Sequence, residues 1–174
     1  GKGVVAAAWA GVRSALTPLA LLYCAWMIGA ICYDMGTTTY MAVVLQEAFN
    51  PLLLPIILFL LAGFLSFATG SSWSTMTILL PLVVGLAYET GVSTPIGGEG
   101  MLVVAIASVL EGAIFGDHCS PISHTTVMSS IAASCNHVDH VRTQAPYAIL
   151  TMVVATVCGY YPAVIFDLSP LVSM

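Results

Sequence analysis

Basic side chains are almost missing: Lys2, Arg13 and Arg142 are the whole complement in 174 residues, against eight acids and a net charge of −5. Three scattered cations cannot form a phosphate-binding patch, which excludes nucleic acid as a partner. Charge of both signs is only 6% of the chain, where soluble domains carry roughly 25%. A water-facing surface cannot be built from that composition. With a mean hydropathy of +1.02, the solvent is lipid. Paired cysteine spacing is absent as well. Cys24, Cys32, Cys119, Cys135 and Cys158 form no zinc-ligand pattern, and three of them lie in apolar runs as small hydrophobes. That argues against a disulfide framework. The opening "GKGVVAAAWAGV" has neither an initiator Met nor a signal-peptide pattern, and the chain stops shortly after "FDLSP". It reads as a fragment of a longer membrane protein, one membrane domain over 1–174.

What is present is uncharged sequence in long runs. About 18 or more apolar residues suffice for a membrane-spanning helix. Residues 14–33, 48–88 and 143–166 are free of Asp, Glu, Lys and Arg, and 100–113 is interrupted only by Glu111. The expected spans are 14–33, 51–88 broken near 67–75, 100–134 broken near 116–121, and 146–166 beginning at Pro146. "MAVVLQEAF", 41–49, is too short to cross and reads as a connecting helix. The interval 48–88 holds 41 uncharged residues, too many for one span, so two tightly connected ones are the alternative to a broken segment. Its middle, "SFATGSSWSTMT", sets a Gly among seven hydroxyl side chains around Trp73. Backbone that leaves the helix in lipid costs several kcal/mol per unpaired group, so a break survives only where protein or water lines it. Two apolar segments interrupted by Gly and hydroxyl clusters are the mark of a secondary transporter's binding region.

The second interruption carries the chemistry. "FGDHCSPISHTTVMSS", 115–130, gathers Asp117, His118, Cys119, His124 and a set of hydroxyls in otherwise apolar surroundings. Pro121 suits the first turn of a restarting helix and disfavours a helical residue before it. Gly116 permits a turn upstream, so the break is expected between Gly116 and Pro121. Freed carbonyls with Ser120, Ser123, Thr125 and Thr126 could form an oxygen cage for a small hard cation such as Na⁺, with Asp117, Ser120 and Ser123 at its centre. An ionised carboxylate at membrane depth is costly, so protonation and cation binding become alternative ways of neutralising Asp117. One site with two mutually exclusive cations is the minimal physics of an antiporter. His118 and His124 are placed to share or tune the proton.

Blander readings stand beside this one. Asp117 could cap the restarting helix or pair with a histidine. Each Ser or Thr taken alone is commonly helix-packing glue. Glu111 is either a second buried acid or a residue near the membrane surface. Asp34 reads as an interfacial end-cap, and Trp9, Trp26 and Trp73 as packing or interface anchors. "HCSPISH" with "CNHVDH" could be drawn as a metal site from Cys119, Cys135 and the four histidines, yet no pair has zinc spacing. No G-x-S-x-G elbow context is present for a serine nucleophile, and an enzyme is not expected.

These residues also carry a resemblance. "GDHCSPIS-TTV-SS" resembles the signature of the NhaC family of sodium/proton antiporters, which typically reads G-D-H-C-S-P-I-S-D-T-T. "FATGSSWST" (67–75), "HVDHVRTQAPYA" (137–148) and "AWMIGAICYDMGTTTYM" are similar to further segments of that family. The resemblance implies an all-α polytopic membrane protein in the bacterial inner membrane, one half of an inverted-repeat secondary transporter with two discontinuous segments. What it implies in function is exchange of Na⁺ for H⁺ without a cofactor; lipid is the expected surroundings and a homodimer a candidate assembly. By position it places function on Asp117, Ser120, Pro121, Ser123, Thr125 and Thr126, and on Thr69, Gly70, Ser71, Ser72 and Trp73; read from the residues themselves, His118, Glu111, Asp34 and Trp73 are candidate supporting groups around that site. Two departures stand out: His124 occupies the usual Asp position, and Ser74 replaces a Gly. The loss of that acid favours one cation fewer, or an organic anion as passenger. A Na⁺-coupled malate/lactate-type exchanger is therefore the alternative, and a channel-like subunit using the same residues without coupling is a third.

Overall fold

In a computed structural model the described residues are 2–37, 40, 43–44 and 50–165, and every regular element among them is helical. Helix α1 runs from Lys2–Asp34 and covers the expected 14–33 span. A 3₁₀ turn, Pro51–Leu53, leads into α2, Leu54–Thr69; α3 is Ser72–Val92 and α4 is Gly97–Cys119. The short α5, His124–Ala132, is followed by α6, His137–Val154, a π-helical segment Ala155–Tyr160, and α7, Tyr161–Ile165. The expected connecting helix at 41–49 lies largely outside the described residues, as does position 166 at the end of the last expected span.

Four helices are long and apolar enough to cross a membrane: Pro51–Thr69, Ser72–Val92, Gly97–Cys119 and His137–Ala163. With no strand among the described residues, the chain is an all-α, multi-pass membrane protein. The interval 51–88 thus holds two helices of spanning length, parted at Gly70 and Ser71. The last such helix starts at His137 rather than Pro146. Asn136 accounts for this, because its side chain accepts from Val138 N at 2.9 Å and Asp139 N at 3.3 Å and so caps the earlier turn. Pro146 then sits inside α6.

The core is a set of four-residue ridges. Leu54, Leu58 and Ala62 of α2 meet Leu79, Val83 and Ala87 of α3 and Met101, Ala105 and Val109 of α4. That spacing is the i, i+4 row through which helices interdigitate. A glycine seam brings α2 and α4 closer still. A Cβ on Gly112 would lie 2.3 Å from Phe59 O, and one on Gly116 would lie 2.2 Å from Gly63 O. Only hydrogen fits there, as in small-residue crossings of membrane helices. Ser66 bonds across the same seam, donating from Oγ to Ala113 O at 2.6 Å. The seam is what fixes Asp117, one residue beyond Gly116, against α2.

Candidate functional site

The helix that carries the acid runs on through Gly116, Asp117 and His118, and the chain leaves it at Ser120. Gly116 is therefore a contact residue of a close helix crossing, and the turn itself lies at Ser120–Ser123. Ser120 and Ser123 both adopt extended backbone, ψ 126° and 135°, and Pro121 between them cannot donate to a helix. Carbonyls exposed at the α4 end are answered locally. Ser120 N donates to Gly116 O at 3.0 Å and Asp117 O at 3.3 Å, and Thr126 Oγ1 also reaches Asp117 O at 3.3 Å.

Around this break the hydroxyls converge on one carboxylate. Ser123 Oγ donates to Asp117 Oδ1 at 2.8 Å, and Thr125 Oγ1 donates to Oδ2 at 2.6 Å. The two hydroxyl oxygens are themselves 2.8 Å apart. Asp117 is only 6% exposed, while Ser120, Ser123 and Thr126 are buried with it. Capping belongs to Ser123, whose side chain accepts from Thr126 N at 3.5 Å; Asp117 does not cap α5. Nor does Asp117 bond a histidine among the described residues. Among the described residues its side-chain hydrogen-bond partners are the neutral hydroxyls of Ser123 and Thr125. Four oxygens, two of Asp117 and one each of Ser123 and Thr125, are thus joined by hydrogen bonds in one compact group.

Ser120 points elsewhere. Its Oγ donates to Phe67 O at 2.8 Å, tying the break to the last turns of α2. The two breaks touch at the same place, since a Cβ on Gly70 would meet Ile122 O at 2.8 Å. Gly70 is left-handed, φ +67°, and ends α2 as a glycine C-cap. The first break thus adjoins the second through backbone. Its hydroxyls are spent nearby: Thr69 Oγ1 donates to Leu65 O at 2.9 Å, and Ser71 caps α3 by accepting from Ser74 N at 3.3 Å. Ser72 makes no side-chain hydrogen bond among the described residues, and Trp73 is 80% exposed. Asp34, at the end of α1, is exposed and is not among the hydrogen-bond partners of Asp117 in the described residues.

His124 opens α5 and is exposed. His118 is exposed too, and lines a cavity of about 360 Å³ with Thr125, Thr126, Ser129 and His140. Thr125 is therefore both a partner of Asp117 and part of the cavity wall, which gives the buried acid a polar approach. His137 holds a position that spacing could not reveal. Its Nε2 donates to Pro121 O at 2.6 Å and its Nδ1 meets Ser130 Oγ at 3.1 Å, so α6 staples the break loop to α5. No group of three His, Cys, Asp or Glu comes together among the described residues, and the metal-site alternative has no support there. Glu111 lies further up α4, where Tyr160 Oη donates to its Oε2 at 2.6 Å.

Comparison with known proteins follows this geometry. The chain is 40% identical over 150 residues to an uncharacterized protein of Haemophilus influenzae, covering 86% of this chain and 27% of that one. It is 31% identical over 121 residues to a malate-2H⁺/Na⁺-lactate antiporter of Bacillus subtilis, 66% of this chain and 24% of the relative. An uncharacterized Na⁺/H⁺ antiporter of Haemophilus influenzae is 30% identical over 148 residues, 83% and 29% respectively. The chain thus spans about a quarter of the length of these curated relatives. No solved structure matches it significantly. The Na⁺/H⁺ antiporter family model matches residues 2–161. The expected resemblance holds, and the chain belongs to the Na⁺/H⁺ antiporter family, a family of transporters rather than enzymes.

Proposed function

We propose that this chain carries the ion site of a secondary transporter that exchanges Na⁺ for H⁺ across the bacterial cell membrane. The observation that supports it is the Asp117 carboxylate, buried with both oxygens on hydroxyls and no cationic partner among the described residues. In this reading Na⁺ binds Asp117 with Ser123 and Thr125, their hydroxyl hydrogens turning outward so that the oxygens face the ion. Protonation of Asp117 removes the charge that holds the ion. Either cation neutralises the acid, and a neutral site is the form that moves between the two sides at low cost. The contact of the two breaks supplies the pivot, as in carriers whose site lies between discontinuous helices of inverted repeats.

A second reading is Na⁺-coupled exchange of an organic anion. It is favoured by His124 standing where an acid is usual, and by the similarity to the malate-2H⁺/Na⁺-lactate antiporter of Bacillus subtilis. There His124 as imidazolium, on the first turn of α5, would face the anion together with the positive end of that helix.

Everted vesicles carrying the full-length protein separate the two. Na⁺-dependent collapse of ΔpH without organic substrate is the expected result; a strict requirement for malate or lactate would overturn the first reading in favour of the second. His124→Asp adds a finer test. It is expected to displace the pH profile of exchange, and an unmoved profile would remove His124 from the proton pathway.

A further inference from the structure

The segment "HVDHVRTQAPYA" opens α6, and its first residue reaches back to the second break. His137 Nε2 lies 2.6 Å from Pro121 O, and Nδ1 lies 3.1 Å from Ser130 Oγ. Pro121 O has no other hydrogen-bond partner among the described residues. That carbonyl stands in the middle of the Ser120–Ser123 turn. One side of the turn is held by α2, through Ser120 Oγ on Phe67 O and the close approach of Gly70 to Ile122 O. At its end, Ser123 donates to Asp117 Oδ1. The other side of the turn is held by His137.

The hydrogens available to this clamp fix its charge. A carbonyl only accepts, so Nε2 carries a hydrogen. Ser130 has a single hydroxyl hydrogen, and its Oγ donates to Val127 O at 2.8 Å. With that hydrogen spent, the 3.1 Å contact is completed only by a hydrogen on Nδ1. An imidazole protonated on both nitrogens is a cation. In the neutral ring the Ser130 hydrogen must leave Val127 O for Nδ1, and a bond is lost. Bonds from an ionised donor are also roughly twice as strong as neutral ones. Helix dipoles do not decide the matter. Ser130 lies near the end of α5, which favours a cation, whereas His137 opens α6, which opposes one. Other ionisable groups at this end of the bundle are Asp117, His118 and Cys119 on α4, His124 on α5 and Cys135 in the connector. On α6 itself they are Asp139, His140 and Arg142. None of these is hydrogen-bonded or ion-paired to the ring among the described residues.

We infer that His137 is a positioning residue of the ion site, whose imidazolium form clamps the Ser120–Ser123 turn to α5 and α6 and so aims Ser123 at Asp117. Loss of the Nδ1 proton, in the window of about pH 5 to 8 where histidines change charge, removes one bond of the clamp and slackens the turn. This rests on reading Asp117 as the ion site, and it adds a proton-sensitive control on α6, apart from the ion ligands.

Hydrogen–deuterium exchange on the purified full-length protein, without Na⁺, reads the clamp directly. After correction for intrinsic exchange, protection over 118–126 is expected to be higher at about pH 6 than at about pH 8. His137→Gln keeps one donor for Pro121 O and cannot become a cation. It is expected to lower protection at about pH 6 and to match the unaltered protein at about pH 8. Ser130→Ala leaves the Pro121 bond and removes the partner of Nδ1, so a smaller change in the same direction is expected. Binding of radiolabelled Na⁺ should follow. His137→Gln is expected to weaken it about tenfold at about pH 6, as for other groups that orient metal ligands, and by less than about twofold at about pH 8. A loss of protection equal at both pH values would make His137 a packing residue only. Protection in the unaltered protein that does not change with pH would remove the clamp. Na⁺ affinity indifferent to His137→Gln at the lower pH would overturn the positioning role. If the unaltered protein binds no Na⁺ at all, the antiporter reading fails, while the exchange data still decide the clamp.

Discussion

The two helix breaks begin from similar sequence and end in different chemistry. "TGSSWST" and "CSPISHTT" are both dense in hydroxyls beside a helix-breaking residue. At the first, the oxygens turn back on their own helices, with Thr69 on Leu65 and Ser71 on the α3 terminus. At the second, Ser123 and Thr125 turn inward onto Asp117. A hydroxyl bonds the nearest strong partner, and at the first break that partner is backbone. Hydroxyl density therefore makes a break tolerable in lipid; in the proposed reading, a carboxylate within reach makes it a site.

Removing the carboxylate erases the difference between the breaks. Asp117→Asn is expected to lower apparent Na⁺ affinity about 100-fold or more, from the ~3–5 kcal/mol lost when one member of a buried charge pair is removed. Vesicle exchange assays on protein that still elutes as a folded species would check it. Exchange retained near the original level would show the acid to be structural.

Gly70→Ala tests whether the first break acts on the second through backbone. The new Cβ would strike Ile122 O at 2.8 Å on a residue held at φ +67°. Left-handed strain and overpacking together are expected to cost about 2–4 kcal/mol of stability. Thermal unfolding should fall accordingly, and apparent Na⁺ affinity with it. A variant that lost stability but kept full Na⁺ affinity would separate the two breaks.

Ser123→Ala removes one donor to Asp117 and the cap of α5 at once. A hydrogen bond to a charged group contributes ~1.5–3 kcal/mol, so apparent Na⁺ affinity is expected to drop about 10- to 100-fold. Ser123→Thr, which restores the hydroxyl, should recover part of it. Equal defects in both variants would place the role of Ser123 in packing alone.

Local chemistry was legible in the sequence and long-range pairing was not. Asp117, Ser123, Thr125 and Thr126 lie within ten positions, and a chain that breaks near Pro121 has little choice but to fold them together. The resemblance pointed to the same residues. Gly116 shows the limit. A glycine before a proline reads as a turn, yet here it serves a crossing with Gly63, a partner 53 positions away that periodicity cannot name. Tyr160 and Glu111 are 49 positions apart and meet through a π turn, which has no composition signal. His137 finds Pro121 across 16 positions for the same reason. The start of α6 at His137 rather than Pro146 is set by Asn136, whose side chain caps a turn inside a stretch that by composition reads as a polar connector.

The smallest expected effect is the most discriminating for the comparison. Ser71→Ala deletes an acceptor for Ser74 N and leaves Asp117 and its partners untouched. Loss of a serine cap costs about 1 kcal/mol, within a range of about 0.5–2. A modest fall in thermal stability is therefore expected, with apparent Na⁺ affinity moved by less than about twofold, because that fall weakens the α3 start in bound and free states alike. If Ser71→Ala instead matched the loss seen for Ser123→Ala, the first break would contribute an ion ligand. Its oxygen would then have to leave the cap during transport, and the two breaks would form one site in the ion-bound state.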